Sequence, residues 1–138
     1  MNDADRDRFD ELVAAAIELL PERFRFVLDE VPIVVLDRPT PTMLKDLGLA
    51  GDPHAADELM GLHTGVSITE ESVERSGELP DQIHLFRRGH LHALDLEQMP
   101  TDGEEMEDLA EQVRITLLHE IGHHMGLEED DLERLGYD

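Results

Sequence analysis

The segment HEIGHHMGLEED, His119–Asp130, contains three of the chain's eight histidines. On a helix that turns about 100° per residue, His119 and His123 lie about 40° apart, on one face and one turn apart. Zinc takes imidazole nitrogens at about 2.0–2.1 Å, so this pair can share one ion. Glu120 lies beside the pair, where its carboxylate can reach a zinc-activated water without being a ligand. The H-E-x-x-H spacing therefore predicts two zinc ligands and a general base.

A catalytic zinc normally has a third protein ligand and leaves its fourth position to water. Gly126 is expected to end the helix in the left-handed conformation, after which the chain can turn back. Spacing favours Glu129, six residues after His123, as the third ligand. Asp130 is the alternative, with a shorter side chain. The alternative to a metal site is that the histidines cap the last carbonyls of the helix and interact favourably with its dipole. This explains one histidine easily but three poorly.

The helix that carries these residues is predicted to begin near Thr101, with Thr101 and Glu104 forming a capping box. His124 falls at about 140° on the wheel, within the core-facing arc, and is expected to be a hydrogen-bonded or core residue rather than a ligand. The apolar residues that define this arc are Met106, Leu109, Ala110, Val113, Leu117 and Ile121.

The rest of the chain predicts two N-terminal helices and a small sheet. Residues 6–21 show helical periodicity, with Asn2 or Asp3 as the cap, and a shorter helix is expected over 21–30. Residues 38–58 are predicted to be mostly loop, and residues 89–100 a short strand or a loop. Alternation and β-branched residues predict strands over 31–37, 59–69 and 81–88.

Several further features have modest interpretations. Strand 81–88 could pair with an extended peptide by strand addition, unless it lies inside the sheet. His90 and His92 would face one side of a strand, as a solvent-facing pair or as a second metal site. Tyr137 could stabilise an oxyanion or pack under the last helix. No function is assigned to the isolated histidines His54, His63 and His84.

The composition restricts the partners. With 138 residues, a single domain is expected. The formal net charge of −23 should repel nucleic acids and anionic membranes. It indicates a solvated acidic surface, with a groove for basic peptides as the alternative. A polar, acidic start and no apolar run near the ~20 residues of a membrane span predict a cytoplasmic protein. There are no cysteines, so thiol chemistry is excluded.

The segment HEIGHHMGLEEDDLERLGYD, with GVSITEESVERSGELPDQIHLFRR upstream, resembles the small bacterial zincin-like metallopeptidases, or mini-zincins, over residues 57–138. The resemblance implies an α+β zincin-like fold, in which a small mixed sheet packs against N-terminal helices and a long C-terminal active-site helix. It implies zinc ligands at His119 and His123 and a catalytic Glu120. The acidic ligand of the family pattern falls on Glu129, where that pattern has Asp.

These features predict a zinc metallopeptidase that hydrolyses peptide bonds of a peptide or protein substrate through a zinc-activated water. One alternative is a non-catalytic zincin scaffold that binds a partner peptide. The other is a zinc-dependent nuclease with three histidine ligands, which Glu120 and the acidic charge disfavour. Substrate, oligomeric state and the choice of zinc over manganese or iron stay open.

Overall fold

The computed structural model describes residues 1–64 and 81–126, which contain seven helices and a three-stranded sheet. In chain order, these elements are α1 (Asp3–Glu18), α2 (Glu22–Arg25), α3 (Val27–Glu30), β1 (Ile33–Leu36), α4 (Pro41–Asp46), α5 (Ala55–Glu58), β2 (Gly61–Thr64), β3 (Gln82–Phe86), α6 (Arg87–Ala93) and α7 (Gly103–His124).

The first helix follows its sequence pattern. The side chain of Asn2 accepts a hydrogen bond from the Asp5 amide at 2.8 Å, which caps α1. Phe9, Val13 and Ala16 are buried, as the helical period predicts. The shorter helix expected over residues 21–30 is divided into α2 and α3, two helices of four residues each.

The sheet has the strand order β1-β3-β2. Strand β1 runs parallel to β3, with Ile33 opposite Ile83, and β2 runs antiparallel to β3, with His63 opposite Ile83. The predicted mixed sheet is thus confirmed. Strand addition to β3 was the wrong alternative, because hydrogen bonds to β1 and β2 occupy both of its sides. Its Ile83 and Leu85 are fully buried, as expected for an interior strand.

Two segments that were predicted without helices contain short ones. In the expected loop 38–58, Thr40 accepts a hydrogen bond from the Met43 amide at 3.1 Å, and Pro41 at the first position starts α4. The short α5 follows. The strand or loop expected over 89–100 begins instead as α6, whose Gly89 packs against backbone: a Cβ there would lie 1.9 Å from the Leu59 carbonyl oxygen.

Helix α7 forms the long C-terminal helix that the sequence predicts. The Thr101–Glu104 capping box was wrong: the N-cap residue is Asp102, and the chain enters the helix through Gly103 at φ +77°, which leaves Thr101 outside the first turn. At the other end, Gly126 has φ +80° and donates to the His123 carbonyl, so the predicted glycine stop is confirmed. No helix within the described ranges is long and apolar enough to cross a bilayer.

The core lies between α1, α7 and one face of the sheet. Burying this apolar surface, at about 25 cal/mol per Å² removed from water, is the main force that fixes α7 against the sheet. The residues of α7 that contribute most fully are Leu109, Val113, Leu117 and Ile121, and their partners include Phe9, Val13, Ile83 and Leu85.

A buried arginine joins three elements of the fold. The Arg87 guanidinium, 9% exposed, donates to Asp10 on α1 and to Asp37 after β1, each at 2.9 Å. Arg6 also donates to Asp37 at 2.8 Å, and these hydrogen bonds, that of Arg6 foremost, hold the pKa of Asp37 below its usual value. The network fixes α1 against the sheet at the point where β3 becomes α6.

Candidate metal centre

The last two turns of α7 place the two predicted zinc ligands side by side. The imidazole rings of His119 and His123 are edge to face, with centroids 4.5 Å apart and planes at 74°. Both residues are partly exposed. Two rings this close, one helical turn apart, fit a donor pair for a single zinc ion.

The carboxylate of Glu120 lies between α7 and strand β2. Glu120 is 8% exposed, so its carboxylate is held within the fold rather than free in solvent. A Cβ on Gly61 would lie 3.1 Å from Glu120 Cγ and 3.3 Å from its Oε2. The glycine therefore permits β2 to pass directly over the carboxylate.

Thr116, one turn before Glu120, anchors this part of the helix to α6. Its hydroxyl lies 2.9 Å from the Gln112 carbonyl oxygen and 3.0 Å from His90 Nε2. The other ring nitrogen, His90 Nδ1, lies 2.8 Å from the Phe86 carbonyl oxygen, which can only accept, so Nδ1 carries the ring proton. The single hydroxyl proton of Thr116 then serves either the Gln112 carbonyl or His90 Nε2. Burial lowers the pKa of His90 to about 4, which keeps the ring neutral.

The expected H-x-H pair does not exist as a pair. His90 and His92 are on helix α6, where residues two apart point in different directions. His90 is fully buried, whereas the side chain of His92 is 56% exposed, with Nε2 3.7 Å from Glu58. Both interpretations that required a common face, a second metal site and a solvent-facing pair, are wrong.

A second cluster was missed from the sequence. His124 Nδ1 lies 3.2 Å from His63 Nε2 and 3.3 Å from Asp81 Oδ2. His124 is buried, as its place in the core-facing arc predicts, and it has two polar neighbours of the kind that bind metals. His63 had been assigned no function. Gly61 and His63, two residues apart on β2, share one face of the strand, and in the structure this face meets α7.

The remaining predicted residues lie outside the described part of the chain. Glu129, Asp130 and Tyr137 follow residue 126, so the choice between the two acidic ligands stays a prediction. Residues 65–69 of the predicted second strand lie outside as well. The structure therefore describes the two histidines and the glutamate of the motif.

A long helix that carries H-E-x-x-H beside a small mixed sheet defines the zincin class of metal-dependent proteins. In agreement, the profile of the zincin-like metallopeptidases matches residues 28–137. The chain belongs to this family, the zincin-like metallopeptidases. None of the curated proteins compared with it gives a significant match.

Proposed function

We propose that this protein is a zinc-dependent peptidase, in which His119, His123 and Glu129 hold the metal and Glu120 is the general base. The observation that carries the proposal is the arrangement on the last turns of α7. The centroids of the His119 and His123 rings lie 4.5 Å apart. The carboxylate of Glu120, between them in the sequence, is buried against Gly61. Family membership supports a zinc peptidase in general; the residue roles are our assignment.

In the proposed mechanism, zinc would supply Lewis-acid chemistry and Glu120 would transfer the proton. When bound, zinc supplies a Lewis acid that polarises a carbonyl and lowers the pKa of water. Glu120 takes the proton of the attacking water as the carbonyl carbon is attacked, and then delivers that proton to the nitrogen of the leaving amine. The burial of Glu120 against β2 suits this role, because it restricts where the carboxylate can lie.

The proposed substrate is an extended peptide segment that lies along β2. In the order β1-β3-β2, β2 is at an edge of the three described strands, and its Gly61 contacts Glu120. A peptide added to that edge by main-chain hydrogen bonds would carry its backbone past the carboxylate. Its side chains alternate in direction, so every second one would point toward α7.

A cavity beside β2 offers a place for one substrate side chain. It has a volume of about 280 Å³ and lies between α4 and β2. Its lining is largely apolar with one carboxylate, which fits an apolar or a basic side chain. The lining residues are Met43, Asp46, Leu47, Leu62, His63 and Thr64. The net charge of −23 also favours basic over acidic peptides.

The test is a digest of a broad peptide library by zinc-loaded protein, analysed by mass spectrometry. Wild-type protein should produce new amino termini, and Glu120→Gln should bind zinc with normal stoichiometry and produce none above background. Glu107→Gln, an exposed glutamate on the same helix, is the matched control and should cleave like wild type. Equal cleavage by Glu120→Gln would remove Glu120 from the mechanism. An uncut library with a fully zinc-loaded wild type would favour the non-catalytic scaffold.

A further inference from the structure

Three ligand-type side chains from separate parts of the fold meet at the end of α7. His63 comes from β2, Asp81 immediately precedes β3, and His124 is the last residue of α7. One ligand atom from each lies within 4.8 Å of the other two. Asp81 and His124 are buried, at 8% and 3% exposure, and His63 is partly exposed. We refer to these three residues as the His63 cluster.

The spacing of the donor atoms fits coordination of one metal ion. Two ligands on a tetrahedral zinc with bonds of about 2.0–2.1 Å lie about 3.3–3.4 Å apart. In the His63 cluster, His124 Nδ1 is 3.2 Å from His63 Nε2 and 3.3 Å from Asp81 Oδ2. Two imidazoles and one carboxylate are also a donor set that divalent transition metals accept.

Both short contacts of the cluster converge on a single atom, His124 Nδ1. Each of the three groups can offer a lone pair, so a cation among them would be met by a donor atom from each.

The His63 cluster is distinct from the H-E-x-x-H pair. On the helix wheel, His124 lies about 100° from His123 and about 140° from His119, so its ring points to another side of α7. That side faces β2, since residues 116, 120 and 124 form one stripe, and Gly61 and His63 face this stripe. We therefore treat the two sets of side chains as separate sites on α7.

We propose that His63, Asp81 and His124 form a second site for a divalent transition-metal cation, such as zinc. The site joins the last turn of α7 to β2 and to the start of β3. Because His124 directly follows His123, an ion there fixes the helical turn that presents the H-E-x-x-H pair. Its role is to hold the active-site helix against the sheet.

The experiment counts zinc by native mass spectrometry after equilibration with a zinc buffer. Wild-type protein should hold two ions. The double variant His119→Ala/His123→Ala should keep one, because the His63 cluster is intact. Adding His63→Leu or, in a separate protein, Asp81→Asn to this background should weaken binding of the remaining ion by more than about 100-fold, since loss of an outer partner alone weakens metal binding by about 10- to 100-fold.

Controls separate this site from weak binding to the acidic surface and from misfolding. His54→Leu removes an exposed histidine in the same background and should leave one ion bound. Circular dichroism checks that each variant is folded. If one of the two cluster variants, His63→Leu or Asp81→Asn, fails to fold, the other still tests the site. In the cobalt-substituted double variant, the visible d–d bands should disappear with Asp81→Asn. A folded double variant without zinc, or one whose zinc survives both added substitutions, would overturn the proposal.

Discussion

The close approach of β2 to α7 can be tested by adding one methyl group. In Gly61→Ala, the new Cβ would lie 2.8 Å from Thr116 Cγ2 and 3.1 Å from Glu120 Cγ. The threonine cannot simply rotate away, because its hydroxyl lies within hydrogen-bond distance of Gln112 and His90. Either those hydrogen bonds break or β2 moves away from the helix.

The expected magnitude follows from two opposing effects. Overpacking of a well-filled site costs about 1–3 kcal/mol. Replacing glycine by alanine restricts the unfolded chain and returns about 0.4–1 kcal/mol. We therefore expect Gly61→Ala to lower the free energy of unfolding by about 1–2 kcal/mol in urea titrations. Gly51→Ala is the control: its Cβ would meet nothing within 4 Å, so stability should be unchanged or slightly higher.

A double variant makes the test decisive. Thr116→Ser removes the clashing Cγ2 and keeps the hydroxyl that bonds to His90. In Gly61→Ala/Thr116→Ser, the effect of the alanine should shrink by about 1 kcal/mol or more, a coupling typical of residues in contact. Strictly additive effects of the two substitutions, or a Gly61→Ala protein as stable as wild type, would refute the close packing described above.

Two further predictions concern stability. The pKa of His90 is about 4 in the folded protein against 6.5 for the free side chain. Between these two pH values the unfolded chain therefore binds more protons than the folded protein does. About 3 kcal/mol of stability, present in full above pH 6.5, is lost as the pH falls through this window. His90→Leu should remove that part of the loss in urea titrations at pH 7 and pH 4, and an unchanged difference would contradict a neutral buried ring. Arg87→Met should lower the free energy of unfolding by about 1.5–3 kcal/mol, since it breaks charge-assisted hydrogen bonds to Asp10 and Asp37. The exposed pair between Arg114 and Glu111 serves as control, with about 0.2–0.5 kcal/mol expected for Arg114→Met; equal losses in the two variants would count against the buried network.

The features that the sequence predicted correctly depend on local patterns. The amphipathic period of α7 and the glycine at its end are local, and so are the β-branched residues of β1 and the alternation in β3. The mixed sheet was implied by family resemblance, and the strand pairing is consistent with it. These features place the H-E-x-x-H pair on a helix beside a sheet, which is the structural context that the motif needs to form a metal site.

The failures depend on contacts between distant residues. Helix α6 was missed because its Gly89 weakens the helical pattern, and that glycine is explained only by its contact with Leu59. The position of His63 beside His124 follows from strand register and from where β2 crosses α7, neither of which a single sequence contains. Four-residue helices such as α5 are too short to produce a recognisable period.

The most direct test of the central claim is a zinc-edge anomalous difference map from crystals of zinc-loaded protein. The account predicts a strong peak about 2.0–2.1 Å from one nitrogen each of His119 and His123, with a carboxylate oxygen of Glu129 as the third protein ligand. It also predicts that the Glu120 carboxylate lies outside direct coordination. A map without a peak between the two imidazoles, or with these rings turned to separate sites, would contradict the proposed peptidase mechanism.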